Sequence, residues 1–203
     1  MTGDFTPADR LEIDFIGGAV GYRRMQGHGR SQPLPKAVGM AKGHLPQVVD
    51  ATAGMGRDSF VLATLGAQVT MIERNRAVYA ALEEAITRAR DHNAELASIV
   101  SRMTLLYGDA KDLLPELAPE VVLVDPMHPD RTKSALVKKE MRIMRDTVGA
   151  DTDSAALMQV AFASATERVV LKWPLRAASI EGIRNPSYQI MGKTIRYDVF
   201  VIG

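Results

Sequence analysis

The strongest constraint on the fold of this chain is the run Asp50-Ala51-Thr52-Ala53-Gly54-Met55-Gly56-Arg57-Asp58-Ser59-Phe60, entered from the apolar stretch Leu45-Pro46-Gln47-Val48-Val49. It reads as a buried strand, a tight glycine turn and a helix start. Such a turn presents backbone N–H groups at the positive end of a helix and lets a ligand approach the main chain closely. A second feature gives the turn meaning. Glu73 ends the next apolar run, Gln68-Val69-Thr70-Met71-Ile72-Glu73. It follows the turn by roughly 20 residues, where a nucleotide-binding α/β fold places the carboxylate that accepts from a ribose diol.

The rest of the chain extends this alternation. Strands are expected at Val48–Asp50, Gln68–Glu73, Met103–Tyr107, Val121–Asp125 and Arg168–Lys172, with helices over Asp58–Leu65 and Ala77–Asp91. Gly66 follows the first helix as a C-terminal glycine. In the second, Val78, Leu82, Ala85, Ile86 and Ala89 form one apolar face, while Glu83, Glu84, Arg88 and Arg90 lie elsewhere. Near-continuous apolar strands separated by helices imply a parallel sheet covered on both faces. The ending differs, because Ser187–Met191 and Ile195–Ile202 flank the short turn at Gly192-Lys193 and should pair antiparallel. The expected class is therefore α/β: a Rossmann-like, mostly parallel seven-stranded sheet that ends in an antiparallel hairpin, with helices on both faces. That is the layout of class I methyltransferases dependent on S-adenosyl-L-methionine. A dinucleotide dehydrogenase normally adds a further parallel strand instead.

Composition narrows the function classes. A chain of 203 residues that is 46% hydrophobic can bury one substantial core. Twenty-five basic against 24 acidic side chains give a net charge of +1, so a nucleic-acid surface must come from local clustering. The absence of cysteine removes disulfides and thiolate chemistry, and four scattered histidines show no ligand spacing, so no metal is expected. No run approaches the length of a membrane span and the acidic, polar N-terminus lacks a secretion signal, which suits a cytoplasmic protein with no membrane partner. Residues 1–44 stand apart from the alternation as a glycine- and arginine-rich segment expected to pack on or extend from the core, and residues 45–203 are expected to form the domain with the layout described above. Within the segment, Glu12–Phe15 reads as a short strand.

Three acidic strand ends fall in register at the carboxyl edge of the sheet. Glu73 would hold a ribose and Asp109, in Tyr107-Gly108-Asp109-Ala110, would accept from an adenine amine. Asp50 would orient the glycine turn or a methionine ammonium. A helix cap or a solvated loop carboxylate is the competing reading of each. The fourth strand runs into Asp125-Pro126-Met127-His128-Pro129. Enzymes that methylate amino groups on planar systems carry an acidic or amide residue, proline and an aromatic here. Such an amine is delocalised into its ring, so it needs orientation and relief of the charge that grows during transfer. Asp125 can accept one amine N–H and the Pro126 carbonyl the other, while His128 takes the place of the stacking aromatic. A strand entering a proline turn would look similar.

Beyond it, Lys138, Arg142 and Arg145 repeat at helical spacing beside a packing stripe of Val137, Met141, Met144 and Val148, with Arg131, Lys133 and Lys139 nearby. A basic ridge beside a base-modifying pocket suits phosphate contacts that position RNA without reading it. A solvated helix face is the alternative, and the same choice applies to Arg23, Arg24 and Arg30. Trp173 reads as core or crevice lining.

Taken together, these stretches resemble the bacterial small-subunit ribosomal RNA guanine-N2 methyltransferases of the RsmJ type. The resemblance rests on Ile13-Asp14-Phe15-Ile16-Gly17-Gly18-Ala19, Tyr22-Arg23-Arg24 and Lys36-Ala37-Val38-Gly39. It continues through Asp50–Asp58, Glu73-Arg74-Asn75, Asp125-Pro126-Met127 and the lysine-rich Lys133–Arg142. It covers nearly the whole chain from about Leu11. It implies methyl transfer from S-adenosyl-L-methionine, leaving S-adenosyl-L-homocysteine, to the N2 amine of one guanine in 16S rRNA or the small ribosomal subunit. By position it implies cofactor contacts from Asp50, Ala51, Thr52, Gly54, Gly56, Arg57, Asp58, Glu73, Arg74, Asp109, Ala110 and Asp125. Asp125, Pro126 and His128 would serve the amine, and a phenylalanine is commoner at the position of His128. Methylation of another RNA base or a protein amide, a nicotinamide-dependent oxidoreductase, and a non-catalytic RNA-binding module are the other classes compatible with parts of the pattern.

Overall fold

The computed structural model describes residues 11–17, 29–40, 43–127 and 153–203. Seven strands form one sheet in the order β3-β2-β1-β4-β5-β7-β6. They are β1 (Gln47–Asp50), β2 (Gln68–Glu73), β3 (Met103–Tyr107), β4 (Val121–Val124), β5 (Arg168–Pro174), β6 (Tyr188–Met191) and β7 (Ile195–Val201). The first five are parallel, while β7 pairs antiparallel with both β5 and β6. The terminal hairpin expected from the Gly192-Lys193 turn is therefore present, and its second strand, not its first, pairs with β5, leaving β6 at the edge of the sheet.

The strands alternate between two cores, as a sheet covered on both faces must. Val48, Leu123 and Val170 face one core with helices α1 (Pro33–Ala37), α2 (Arg57–Thr64), α3 (Arg76–His92) and α4 (Ala94–Val100). Val49, Val122, Val124, Val169 and Leu171 face the other with α5 (Ala110–Leu117) and α6 (Ser154–Ser164). The apolar face expected on α3 is the buried one: Val78, Leu82, Ala85, Ile86 and Ala89 all pack inward. Gly66 lies just past α2 with φ of +104°, the left-handed conformation that ends a helix without a Cβ penalty. The helix α4 was not expected. Asn93 interrupts the pattern and caps it, accepting from the Leu96 N–H at 2.9 Å.

Two expectations are corrected. Glu12–Phe15 is not a strand. Leu11, Ile13 and Phe15 are buried and Glu12 and Asp14 exposed, so the alternation is real. The backbone has other partners, however. The Arg88 guanidinium donates to the Ile13 carbonyl, and the Asp14 carboxylate accepts from the Ile16 and Gly17 N–H groups. The fifth strand is also longer than Arg168–Lys172, because its antiparallel partner β7 pairs Trp173 with Arg196 and Pro174 with Ile195. That end is pinned by a buried ion pair. Arg196 Nε donates to Asp198 Oδ1 at 3.0 Å, while its Nη1 donates to the carbonyls of Pro174, Leu175 and Ala177.

Candidate active site

The sheet order reverses between β1 and β4, since β2 and β3 lie to one side and β5 to the other. Loops leaving neighbouring strands in opposite directions open a crevice at their carboxyl ends. An open cleft of about 600 Å³ occupies that place, lined by the ends of β1, β2, β3 and β4 and the start of α6.

The glycine turn forms its floor. Ala53 N–H donates to the Ile72 carbonyl and Gly56 N–H to the Ala53 carbonyl, folding the segment back over β2. Gly54 and Gly56 have φ of +54° and +65°, which explains both glycines conformationally. Their surroundings differ. Gly54 lines the cleft. A Cβ on Gly56 would meet Leu82 at 2.8 Å and Phe15 at 3.0 Å, so this glycine serves the core. Phe15 stacks on Phe60 just behind it, with ring centroids 4.8 Å apart.

Glu73 joins the turn to the end of β2. One carboxylate oxygen accepts from the Gly54 N–H at 3.0 Å and the other from the Asn75 N–H at 2.7 Å. The side chain is buried yet borders the cleft. A carboxylate has about four acceptor positions, so two backbone bonds do not exhaust it. Asp109 combines both readings given above: it caps α5 by accepting from the Lys111 N–H at 2.9 Å, and it lines the cleft.

Asp50 does not line the cleft. It is buried beneath the turn, where it accepts from the Thr52 N–H at 3.2 Å and is joined to Ser59 Oγ at 2.5 Å. Burial pushes its carboxyl up to about 7, against the Ser59 hydrogen bond and with the Asp58 carboxylate adding to the rise. Of the two roles considered for Asp50, the geometry is that of a residue orienting the turn. Arg57 and Asp58 likewise stand outside the lining. Asp58 instead receives the Lys172 ammonium at 2.6 Å.

At the far lip, the Asp125 N–H donates to Thr52 Oγ1 at 2.7 Å, tying the end of β4 to the turn after β1. Asp125 Oδ2 lies 2.8 Å from Lys172 Nζ. Asp125, Pro126 and Met127 all line the cleft, as do Ala51, Thr52, Arg74 and Ala110. Trp173 does not. It is buried with its Nε1–H donating to the Ala178 carbonyl at 2.8 Å, which makes it core.

Sequence reasoning missed two side chains. Asp153, at the start of α6, accepts from Arg74 at 3.1 Å and from the Lys111 ammonium, closing the cleft on the α5 side. The Lys111 hydrogen bond holds its carboxyl below the ordinary range. Lys172 is the second, and a lysine inside the apolar run Val169–Trp173 was the available signal. His128, Arg23, Arg24, Lys133, Lys138, Lys139, Arg142 and Arg145 lie outside the described residues. Arg30 donates to the Leu65 carbonyl at 3.2 Å, at the C-terminal end of α2. The glycine turn is at the other end of that helix, about 12 Å away at 1.5 Å per residue. At the opposite edge of the sheet, His44, Glu120 and Glu167 bring ligand-type atoms within 4.8 Å of one another. Glu120 there accepts from the Gln47 N–H, and Glu167 lies 3.8 Å from the Arg168 guanidinium.

Comparison with known proteins places this architecture. The family described as "Putative SAM-dependent methyltransferase" matches residues 2–202. A relative from Rhodopseudomonas palustris (strain HaA2), named Ribosomal RNA small subunit methyltransferase J, is 60% identical over 192 residues, covering 95% of this chain and 88% of its own length. The chain belongs to this family of S-adenosylmethionine-dependent methyltransferases. The relative of the same name from Agrobacterium fabrum is also 60% identical, over 94% of this chain and 91% of its own length. Among solved structures, a SAM-dependent methyltransferase of Neisseria gonorrhoeae superimposes with a TM-score of 0.71 at 32% identity, over 100% of this chain and 77% of that one. Membership excludes the oxidoreductase alternative and identifies the cofactor class. The cleft fits that cofactor, with acceptor carboxylates at the ends of β2 and β3 and a glycine turn beside them. Among the described residues no helix is long and apolar enough to cross a membrane.

Proposed function

We propose that the protein transfers a methyl group from S-adenosylmethionine to the exocyclic N2 amine of one guanine in small-subunit ribosomal RNA, acting in the cytoplasm on 16S rRNA or the small ribosomal subunit. The observation that carries this reading is the placement of Asp125 and Pro126 on the lip of the cleft that Glu73 and Asp109 line, in a chain 60% identical to proteins named for ribosomal RNA methylation. When bound, the cofactor supplies an activated sulfonium methyl, so neither a metal nor a strong base is needed.

The chain's own residues then have separable tasks. Glu73 accepts from the ribose hydroxyls and Asp109 from the adenine amine, with Arg74 and Ala110 lining the same side. Gly54, Ala51 and Thr52 face the amino-acid end, and Asp50 holds the turn from beneath, with Gly56, Arg57 and Asp58 continuing it into α2. Asp125 and the Pro126 carbonyl each take one guanine N–H, which turns the nitrogen lone pair toward the methyl group. His128 would stack on the base. Arg23, Arg24, Arg30, Lys133, Lys138, Lys139, Arg142 and Arg145 would contact phosphates, Arg30 from the far end of α2. In this reading residues 45–203 are the methyltransferase domain and residues 1–44 a segment packing on or extending from it.

Mass spectrometry of rRNA nucleosides from a strain lacking the gene tests the reaction and the substrate together. The expected result is loss of one N2-methylguanosine from small-subunit rRNA, restored by the gene in trans. An unchanged nucleoside profile would refute the proposal.

A further inference from the structure

Lys172 is a half-buried cation on the fifth strand with two anionic partners from different elements. Its Nζ lies 2.6 Å from Asp58 Oδ2, on the first turn of α2, and 2.8 Å from Asp125 Oδ2, just past β4. The side chain is 17% exposed. Burial works against its charge, but the Asp125 and then the Asp58 carboxylates outweigh that and hold the ammonium above the ordinary lysine range. A lysine so placed stays protonated, which excludes it as a base. Its three N–H donors instead form a rigid link.

We propose that Lys172 is a positioning residue for methyl transfer, clamping the Asp125 carboxylate to the helix that begins at the glycine turn. This rests on the reading of Asp125 as the acceptor of the guanine amine. The lysine engages Oδ2 at 2.8 Å, which restrains the carboxylate of a residue that lines the cleft. The backbone bond from Asp125 to Thr52 Oγ1 fixes the main chain, and the Lys172 contact adds a restraint on the side chain. Because Asp58 lies on the first turn of α2 and Asp125 just past β4, the acceptor is also held in register with the turn on the cofactor side. The charged groups described around Asp125 are Lys172 on β5, Asp58 on α2 and Asp50 on β1. The two aspartates disfavour ionisation of Asp125 and the lysine favours it.

The test uses the full-length protein, single-turnover kinetics with its rRNA substrate and calorimetric titration with S-adenosylhomocysteine. Lys172→Met should lower the single-turnover rate at neutral pH by about 30-fold or more while leaving homocysteine-product affinity within about threefold, since orientation of the reacting groups, not binding, is lost. The acid limb of the pH–rate profile should move to higher pH, because removing a neighbouring cation raises the pH at which a carboxylate ionises. Lys172→Arg should recover most of the rate. Asp125→Ala combined with Lys172→Met should be no slower than Asp125→Ala alone. To guard against misfolding from two facing carboxylates, the same measurements are made in Asp58→Asn/Lys172→Met, with the same expected loss of rate and a smaller pH shift in the same direction, because the Asp58 charge is removed as well. A wild-type rate in both Met variants, with Asp125→Ala inactive, would overturn the role of Lys172 and leave that of Asp125 standing. A slow Met variant with an unshifted profile and multiplicative losses in the double mutant would reduce Lys172 to a structural residue. Wild-type activity in Asp125→Ala would remove both.

Discussion

Asp125→Ala is expected to lower the rate of methyl transfer by about 10²–10³-fold, roughly 3–4 kcal/mol of transition-state stabilisation, while leaving affinity for S-adenosylhomocysteine within a few-fold. The split follows from the geometry. The contact that ties this residue to the cofactor side is made by its backbone, whose N–H donates to Thr52 Oγ1, and alanine preserves it. What alanine removes is the carboxylate at the lip. An aromatic amine has a poorly available lone pair, and without an acceptor for its N–H it neither turns toward the methyl group nor sheds the positive charge that develops. Lys172 keeps Asp58 as a partner in the variant, so no cation is orphaned and the fold should survive. Single-turnover methylation of rRNA alongside calorimetric titration reads both halves of this prediction. Residual activity equal to the wild type would remove the assigned role.

Glu73→Ala should do the reverse and strike binding and stability together. Its two carboxylate oxygens satisfy the N–H groups of Gly54 and Asn75, one in the glycine turn and one at the cap of α3. Alanine leaves both donors without that acceptor, the Gly54 N–H in a buried place at a cost of about 1–3 kcal/mol and the half-buried Asn75 N–H at about 1 kcal/mol. A loss of roughly 2–4 kcal/mol in denaturant unfolding is expected on that basis. The ribose would lose its acceptor and the turn its shape, so affinity for S-adenosylhomocysteine should fall by about 100-fold or more, two charge-assisted hydrogen bonds having gone. Glu73→Gln separates the two effects, since an amide offers one acceptor oxygen where the carboxylate offers two. It should fall between alanine and the wild type in both measurements. Wild-type affinity in the alanine variant would show that the cofactor is held elsewhere.

Much of this site was legible in the sequence because its residues sit at strand ends. Strand ends can be read from apolar runs, and a parallel sheet brings successive ends to one edge whatever the details of packing. Glu73, Asp109 and Asp125 were found that way, and the structure sets all three around one cleft. The roles of neighbouring residues were less legible. Gly56 and Gly54 look alike in the turn, yet only tertiary packing shows Gly56 pressed against Leu82 and Phe15. Asp153 and Lys172 reach their partners across separations of 79 and 114 residues, which no local pattern encodes. The Glu12–Phe15 expectation failed for a related reason. Alternating burial is shared by strands and by extended segments laid on a core, and the difference lies in whether a ladder or a side chain such as Arg88 takes the backbone carbonyl.

The central claim is that the crevice between β1 and β4 brings the methyl donor beside the residue that presents the amine. A crystal structure of the complex with S-adenosylhomocysteine tests it most directly. The adenosine is predicted to lie between Glu73 and Asp109, with the amino-acid tail over Gly54 and the sulfur facing Asp125. A ligand bound at any other surface, or this cleft closed by the protein's own side chains, would contradict the account.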